Sequence, residues 1–314
     1  MSNRASYDKD IFNAIDILRS YGFNGQQELI DVLCRVTKTK KALASTEADT
    51  DTVYHTMQEV TSSMTRFPGD ADLFFKLYNT LASFDGHAVL SYLNASGEGR
   101  ELAAPEVLVN KFEEYITDTV KSVLVPECEQ YGPELLEIIE THPEVMFTLT
   151  CKKELRYELL SSVYAAYNNA KVQMADIYSY GFTSEKFDLI IAIPVFGGRT
   201  LVNDEDFISR EPDLIAVQNL LYHINIDGEL VIVLPAKITF GGGSTASLRS
   251  YIESNYKIKE ISSLPAGLFA PYTAIRTYLF VFSTGTTDDV VLKQYASDTV
   301  SYTHLRAHET DQYL

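Results

Sequence analysis

The stretch FDLIIAIPVFGG, residues 187–198, decides the fold class of this chain. An apolar run from Phe187 to Ile193 stops at Pro194 and opens into a loop that holds two glycines. Apolar runs of four to eight residues that end at Pro and Gly are typical of buried strands in a parallel sheet. Ligands of open α/β sheets bind at the carboxyl ends of such strands. We therefore expect a functional site directly after this strand.

The chain has 314 residues, of which 46% are hydrophobic and 22% are charged. This length and composition are those of a soluble globular protein with one large or two medium domains. No apolar stretch approaches the roughly 20 residues needed to cross a bilayer. The first residues lack the apolar core of a signal peptide, so we expect a cytoplasmic protein. Cys34, Cys128 and Cys151 are far apart without C-x-x-C spacing, which predicts reduced thiols and no metal site.

The formal net charge of -17 bears on nucleic-acid binding. Phosphate contacts depend on Lys and Arg, so we expect this chain to bind DNA poorly on its own.

After the first hundred residues, strand and helix patterns alternate, which is typical of a doubly wound α/β domain with a mostly parallel sheet. The predicted strands are 122–125, 145–150, 172–175, 189–193, 230–234, 257–262 and 278–283. The predicted helices are 106–117, 134–140, 152–168, 214–224 and 247–254.

The first hundred residues repeat apolar residues at helical spacing. The predicted helices are 8–21, 26–36, 52–64 and 70–83, with a polar connection over 42–53 and a hinge over 95–104. We therefore predict a helical N-terminal domain over 1–100 and the α/β domain over 101–299. The basic cluster 38–41 is either a phosphate-contacting patch or a solvated helix end.

The last residues, 300–314, have no clear periodicity and resemble translated sequencing-adapter sequence. We expect this segment to be an artefactual or disordered tail and exclude it from functional reasoning.

Three segments resemble adenine-specific DNA methyltransferases. The tetrad Ile193-Pro194-Val195-Phe196 is similar to their motif IV, Asn-Pro-Pro-Phe, at the end of an apolar strand. DGELVIVLPAKITFGGG (227–243) and ISSLPAGLFAPYTAIRTYLFVF (261–282) follow in the order found in the modification subunits of type I restriction systems. The resemblance implies a class I methyltransferase fold, Rossmann-like, and S-adenosylmethionine as the cofactor.

The tetrad positions are the catalytic positions that the resemblance implies. In the family, the motif IV Asn accepts hydrogen bonds from the target adenine amine, and the aromatic residue stacks on the flipped base. Phe196 keeps the aromatic ring, while Pro194 keeps the first proline. Ile193 has no acceptor, and Val195 replaces the second proline. The tetrad therefore predicts weakened or lost catalysis.

The cofactor positions implied by the resemblance lie after the first three strands of the α/β domain. VPECEQYGP (125–133) replaces a glycine-rich acidic turn and keeps Gly132, with Glu127 in the turn. Thr150 and Cys151 stand where the family has a ribose-binding carboxylate. Asp176 matches the acidic position near the cofactor's adenine, although a helix cap is the alternative. The changed positions predict that cofactor binding is lost.

Three functional hypotheses remain open. The first is a catalytically degenerate DNA adenine methylase-like subunit of a restriction-modification or related defence system, a pseudoenzyme that acts in binding or assembly. The second is an active S-adenosylmethionine-dependent, adenine-specific DNA methyltransferase. The third is a structural adaptor without a nucleic-acid role. In the first hypothesis, the chain belongs to a hetero-oligomer and contacts DNA through a specificity or partner subunit. We expect no association with a membrane.

Overall fold

The computed structural model of this chain describes most of its residues, namely 2–43, 48–96, 102–200, 207–284, 289–295 and 302–306. Within these ranges, no helix combines the length and apolar character needed to span a bilayer.

Five helices form the N-terminal region: α1 (Ser2–Ser20), α2 (Gln26–Leu43), α3 (Thr50–Val60), α4 (Ala71–Thr80) and α5 (Gly86–Ala95). The side chains of Asp49, Asp70 and Asp85 accept hydrogen bonds from backbone N–H groups three residues later and start α3, α4 and α5. Gly22 adopts a left-handed conformation at φ 89°, where a glycine ends a helix without steric cost, and so terminates α1.

The basic cluster at the end of α2 is used inside the protein. Lys38 forms an ion pair with Glu158 of the α/β domain. The Lys40 ammonium donates to the carbonyl oxygens of Leu81, Ala82 and Phe84 at 3.0, 2.5 and 3.1 Å. These carbonyls follow the end of α4, where helix carbonyls lack intrahelical partners. Lys38 and Lys40 are therefore neither a phosphate patch nor a simply solvated helix end.

The α/β domain is a nine-stranded sheet in the order β3-β2-β1-β4-β5-β7-β6-β8-β9. Its strands are β1 (Ser122–Val125), β2 (Met146–Cys151), β3 (Ala170–Met174), β4 (Phe187–Ala192), β5 (Ile224–Pro235), β6 (Tyr256–Ser263), β7 (Thr277–Thr284), β8 (Val291–Tyr295) and β9 (Tyr302–Arg306). β1 to β5 pair in parallel, whereas β7 lies antiparallel between β5 and β6.

Helices cover both faces of this sheet: α6 (Glu106–Phe112), α7 (Gly132–Thr141), α8 (Glu154–Tyr164), α9 (Pro212–Tyr222), α10 (Lys237–Phe240) and α11 (Ser244–Asn255). Neighbouring residues of a strand point to opposite faces. Val123 and Val125 accordingly join the apolar cluster that also contains the N-terminal helices, while Leu124 joins the cluster under α9. This arrangement confirms the predicted doubly wound, mostly parallel α/β fold behind a helical N-terminal region.

The structure also differs from the sequence predictions in several places. α5, α10, β8 and β9 were not predicted. The predicted polar connection 42–53 overlaps the end of α2 and the start of α3, and its residues 44–47 lie outside the described residues. β9 lies within the segment that we set aside as a tail, whose other residues lie outside the described part of the chain, as do residues 97–101 of the predicted hinge. The domain division at residue 100 stays a prediction.

Candidate functional site

The carboxyl ends of four parallel strands meet at one edge of the sheet. Because β3, β2, β1 and β4 are neighbours in this order, the turns that follow them lie side by side. The cofactor and motif IV positions implied by the sequence all belong to the ends of these strands or to the turns after them. The structure thus brings the predicted positions together, while their roles stay predictions.

The motif IV tetrad follows β4 and is largely packed inside the protein. Ile193 is 2% exposed and Phe196 is 8% exposed. The Phe196 ring meets the Phe269 ring edge-on, with centroids 5.7 Å apart and planes 86° apart. Phe196 is therefore engaged by another ring and presents little surface to a flipped base.

Glu127, in the turn after β1, has an unusual backbone conformation. Its φ and ψ of 49° and 48° lie in the left-handed region, which a residue with a Cβ rarely adopts. The residue is only 6% exposed. A charged side chain in this position needs partners to compensate for the loss of water.

Glu127 bonds directly to residues after two other strands and indirectly to a third. Lys152, after β2, donates to Oε1 at 3.2 Å, and the Tyr178 hydroxyl, after β3, donates to Oε2 at 2.8 Å. The backbone N–H of Val195, after β4, donates to the Tyr178 oxygen at 2.8 Å. We call Glu127, Lys152, Tyr178 and the Val195 N–H the Glu127 network. It ties together the turns after β1, β2, β3 and β4.

The protonation of the Glu127 network follows from burial. Loss of water raises the pKa of Glu127 to about 7, against the opposing effects of the Lys152 charge and the Tyr178 hydrogen bond. Burial also raises the pKa of Tyr178 well above its usual value, so its hydroxyl keeps the proton that it donates. The Lys152 ammonium additionally lies 4.9 Å from the centre of the Tyr178 ring, within the range of a cation–π contact.

Thr150 and Cys151, at the end of β2, are 1% and 0% exposed. The Cys151 thiol lies 3.5 Å from Oε1 of Glu129, to which it donates, and burial raises its pKa above the usual range. Arg156 approaches the same oxygen at 3.8 Å. The Thr150 hydroxyl has no hydrogen-bond partner among the described residues. Neither side chain offers the paired acceptors that a ribose diol requires.

Gly132 and Asp176 have local roles in their turns. Gly132 has a φ of 70° at the start of α7. A residue with a Cβ would be strained in this left-handed conformation, whereas glycine adopts it without steric cost. Asp176 accepts the backbone N–H of Tyr178 at 3.0 Å, which stabilises the turn after β3. No helix lies in the described residues between β3 and β4, so this is a contact within a turn and not the helix cap given as the alternative.

Sequence reasoning missed Lys152, Tyr178 and Arg156. Lys152 directly follows β2, and Tyr178 lies two residues after Asp176. Polar and aromatic residues just after the strands of a parallel sheet belong to the edge where ligands bind, so the sequence positions of Lys152 and Tyr178 could have identified them as candidates. Within the described residues, no group of three His, Cys, Asp or Glu side chains has a geometry that could hold a metal ion.

The residues of this edge do not fit S-adenosylmethionine. The first-strand position that is acidic in the family is Val125, which is fully buried. Thr150 and Cys151, to which the resemblance assigns the ribose, are buried, and the Glu127 side chain has its own partners at the strand ends. A cofactor would have to displace these buried contacts, and it would gain no second carboxylate acceptor.

The outer rim of the same edge carries exposed cationic and aromatic side chains. Arg199 follows β4, and Arg276 lies beside the end of β5, where its carbonyl accepts the Ala236 N–H at 2.9 Å. Arg210 accepts the Thr200 N–H in the same way at 2.9 Å. Phe240 is 74% exposed and Tyr272 is 45% exposed. Exposed cations and exposed aromatic rings both occur on nucleic-acid-binding surfaces.

The sequence matches the model of the N-6 DNA Methylase family over residues 164–310. The type I restriction enzyme EcoEI methylase subunit of Escherichia coli is 29% identical over 110 residues, which cover 32% of this chain and 22% of the E. coli protein. The chain therefore spans about a fifth of the length of this relative. These matches confirm the resemblance to adenine-specific DNA methyltransferases of type I systems.

Two solved structures share the fold. The methyltransferase subunit of a type I restriction-modification system from Streptococcus thermophilus has a TM-score of 0.64 at 15% identity, covering 99% of this chain and 91% of that chain. A chain from a study of type I restriction-modification complex assembly has a TM-score of 0.66 at 17% identity, covering 94% of this chain and 77% of that chain. At these identities the likeness concerns the fold, which is methyltransferase-like.

Proposed function

We propose that this chain is a methylase-like subunit of a type I restriction-modification or related defence system in the cytoplasm. In this proposal it contributes its fold and its contacts to a hetero-oligomeric complex and transfers no methyl group. The observation that carries the proposal is the Glu127 network, in which the chain's own side chains bond to one another at the strand ends to which the resemblance assigns the cofactor.

The motif IV position supports the same conclusion. Methyl transfer to an exocyclic amine needs an acceptor that orients the nitrogen lone pair toward the methyl group. The side chain of Ile193 has no acceptor, and it is 2% exposed. Phe196 packs on Phe269, so its ring offers little surface for stacking.

The extent of the family match is consistent with this proposal. The match begins at Tyr164, the last residue of α8, and includes the tetrad after β4. It leaves out β1, β2 and the turns after them, where the family carries its cofactor residues. The similarity to the family model is thus limited to the part of the domain that follows these cofactor positions.

The rim supports a contact with DNA inside a complex. Arg199, Arg210 and Arg276 supply exposed positive charge at the edge that the family turns toward its target. The net charge of -17 opposes tight binding by the isolated chain. We therefore propose that a specificity or partner subunit supplies most of the affinity for DNA.

The test is a titration of the purified chain with S-adenosylmethionine by isothermal calorimetry. We expect no binding; a micromolar dissociation constant would overturn the proposal. A second assay incubates the chain with a specificity subunit, DNA and tritiated cofactor, and label transfer above background would instead favour the active methyltransferase. A complex that purifies without affinity for DNA would favour the structural adaptor.

A further inference from the structure

A cavity of about 490 Å³ lies where the N-terminal helices meet α8. Its lining comes from the end of α1 and the turn after it, the first turns of α2, the segment 63–68 after α3, and the first turns of α8. None of the described residues that line it belongs to the Glu127 network or to the cofactor and motif IV positions. The cavity is therefore separate from the strand-end site, and its volume is within the range of small-molecule sites, roughly 300–1,000 Å³.

Apolar side chains make up a large part of the lining, namely Leu18, Phe23, Val32, Met64, Phe67 and Leu155. Three of them are buried, and the others pack half-buried against the apolar cluster that contains the N-terminal helices. Such a lining stabilises the apolar part of a ligand by removing it from water.

Arg35 does not line the cavity but fixes two of its walls. This side chain is 2% exposed, and its guanidinium donates to both carboxylate oxygens of Asp31 in α2, at 2.7 and 3.0 Å. It also donates to the carbonyl oxygen of Thr65 at 2.6 Å, and its Cζ lies 5.6 Å from the centre of the Phe67 ring. The wall from α2 and the wall from 63–68 are therefore held together already, and a ligand does not have to order them.

Four carboxylates line the cavity, and two of them already have a cation as partner. Asp31 pairs with Arg35 at 2.7 Å, and Glu158 pairs with Lys38. The charges of these two carboxylates are offset within the protein.

Glu28 and Glu154 are the other two carboxylates, and neither has an ion-pair partner within the part of the chain that the structure describes. Glu28 lies in the first turn of α2 and Glu154 in the first turn of α8, where the helix dipole favours a negative charge. Arg66, the one cationic residue among the described lining residues, is exposed. The cavity thus offers an apolar lining and two uncompensated carboxylates.

We propose that this cavity binds a small organic cation, whose apolar body contacts the apolar lining and whose ammonium group pairs with Glu28 and Glu154. The carboxylates disfavour an anion, and the apolar lining disfavours an inorganic cation because it cannot replace the water bound to such an ion. A bound ligand contacts α2 and α8 at once, so it stabilises the packing of the N-terminal helices on the α/β domain. This inference goes beyond the proposed function and does not depend on it.

The test titrates the full chain with 2-phenylethylammonium chloride and follows the methyl NMR signals of labelled methionine. Met64 lines the cavity, and Met64→Leu identifies its signal. We expect the aromatic ring of the probe to shift the Met64 signal saturably, with a Kd of about 0.1–10 mM, as is usual for a ligand of so few atoms. The signals of Met146 and Met174, which do not line the cavity, should stay unchanged.

Two further probes and two double variants define the result. The uncharged 2-phenylethanol and the small cation methylammonium should each bind more weakly than 2-phenylethylammonium. Glu28→Gln with Glu154→Gln should raise the Kd of 2-phenylethylammonium by about 3- to 10-fold and leave that of 2-phenylethanol unchanged. Glu137→Gln with Glu144→Gln removes two exposed carboxylates outside the cavity and should keep the wild-type Kd.

An unshifted Met64 signal overturns the inference, as does an equal Kd for 2-phenylethylammonium and either of the other probes. Equal weakening in the two double variants also overturns it, because the effect would then come from the overall charge. Binding of S-adenosylmethionine that leaves the Met64 signal unshifted overturns only the proposed function.

Discussion

The Tyr178 hydroxyl donates to the Glu127 carboxylate at 2.8 Å across the end of β2, joining the turn after β3 to the turn after β1. These strands are not neighbours, so backbone pairing alone does not hold the two turns together. The same hydroxyl accepts the N–H of Val195 after β4. One phenol oxygen therefore connects three turns of the sheet edge.

Replacing Tyr178 with Phe should destabilise the protein by on the order of 1–3 kcal/mol, because Glu127 loses a buried donor and the Val195 N–H loses its acceptor. The measurement is urea unfolding followed by circular dichroism. Tyr180→Phe is the matched control, since Tyr180 is 62% exposed, and it should change the unfolding free energy by less than about 0.5 kcal/mol. Equal effects of the two variants would contradict a stabilising role for the hydroxyl.

Stability should fall as pH rises from about 4.5 to about 7 because of Glu127. Burial raises the pKa of this carboxyl from 4.5 to about 7 in the folded protein. The native state therefore binds more protons than the unfolded chain within this window, and this contribution to stability is lost as pH rises through the folded pKa. The charged and titratable groups that act on Glu127 are Lys152, Tyr178 and Glu129.

Glu127→Gln isolates this effect, because glutamine keeps the shape of the side chain and does not ionise. The unfolding free energy of the variant relative to the wild type should increase from pH 5 to pH 8 by on the order of 1 kcal/mol or more. Urea unfolding at pH 5, 6, 7 and 8 gives this difference directly. A difference that stays constant with pH would show that Glu127 titrates as an ordinary surface carboxyl.

Restoring motif IV should not restore methylation. Ile193→Asn supplies the missing acceptor, but the cofactor positions after β1 and β2 remain changed. Val195→Pro removes the N–H that donates to Tyr178, so the double variant also breaks the Glu127 network. We expect no transfer of tritiated methyl groups to DNA above background in the presence of a specificity subunit. Recovered activity in the double variant would demonstrate a working cofactor pocket.

Lys40→Met should destabilise the N-terminal helices by on the order of 1–3 kcal/mol, since three carbonyl oxygens after α4 lose a charged donor. Methionine keeps most of the apolar length of the side chain. The neighbouring Lys41 is exposed, and Lys41→Met should change the unfolding free energy by less than about 0.5 kcal/mol. Thermal or urea unfolding of both variants gives the two changes in unfolding free energy. If Lys40→Met lowered it as little as Lys41→Met does, the Lys40 hydrogen bonds would be weak.

Arg199, Arg210 and Arg276 should contribute to DNA binding by an assembled complex. Replacing all three with Ala should weaken binding about equally for different DNA sequences. It should also reduce the slope of log K against log salt concentration, by roughly 0.9 for each phosphate that is no longer neutralised. Fluorescence anisotropy with labelled duplex DNA over a series of salt concentrations measures the slope. Lys9→Ala, which removes an exposed lysine of α1, serves as the control. An unchanged slope would show that these three arginines do not contact DNA in the complex.

Much of the sheet was predictable because buried strands carry uninterrupted apolar runs. β1 was predicted with its observed bounds, 122–125, and β4 within two residues at its start and one at its end. β8 was missed because its residues are mostly exposed and lack such a run. α5 was missed although Asp85 is a typical cap, since Gly86 and a length of 10 residues weaken the helical pattern.

The candidate site was predictable in position and not in its hydrogen bonds. The strand ends place Glu127, Thr150 and Asp176 at one edge, as the topology of a parallel sheet requires. The bond from Tyr178 to Glu127 joins residues 51 positions apart, and it depends on the left-handed turn at Glu127. Neither the rotamer of a side chain nor this backbone conformation is visible in the residue pattern.

The antiparallel insertion of β7 between β5 and β6 also has a consequence for biosynthesis. During translation, β5 and β6 emerge first, and each exposes the edge that only β7 pairs with. A nascent chain that ends before Thr277 therefore presents two unpaired strand edges, that of the apolar β5 and that of the more polar β6, to chaperones and to neighbouring chains. Pausing of the ribosome within residues 264–276 would lengthen this aggregation-prone interval, so the rate of elongation there bears on the yield of folded protein.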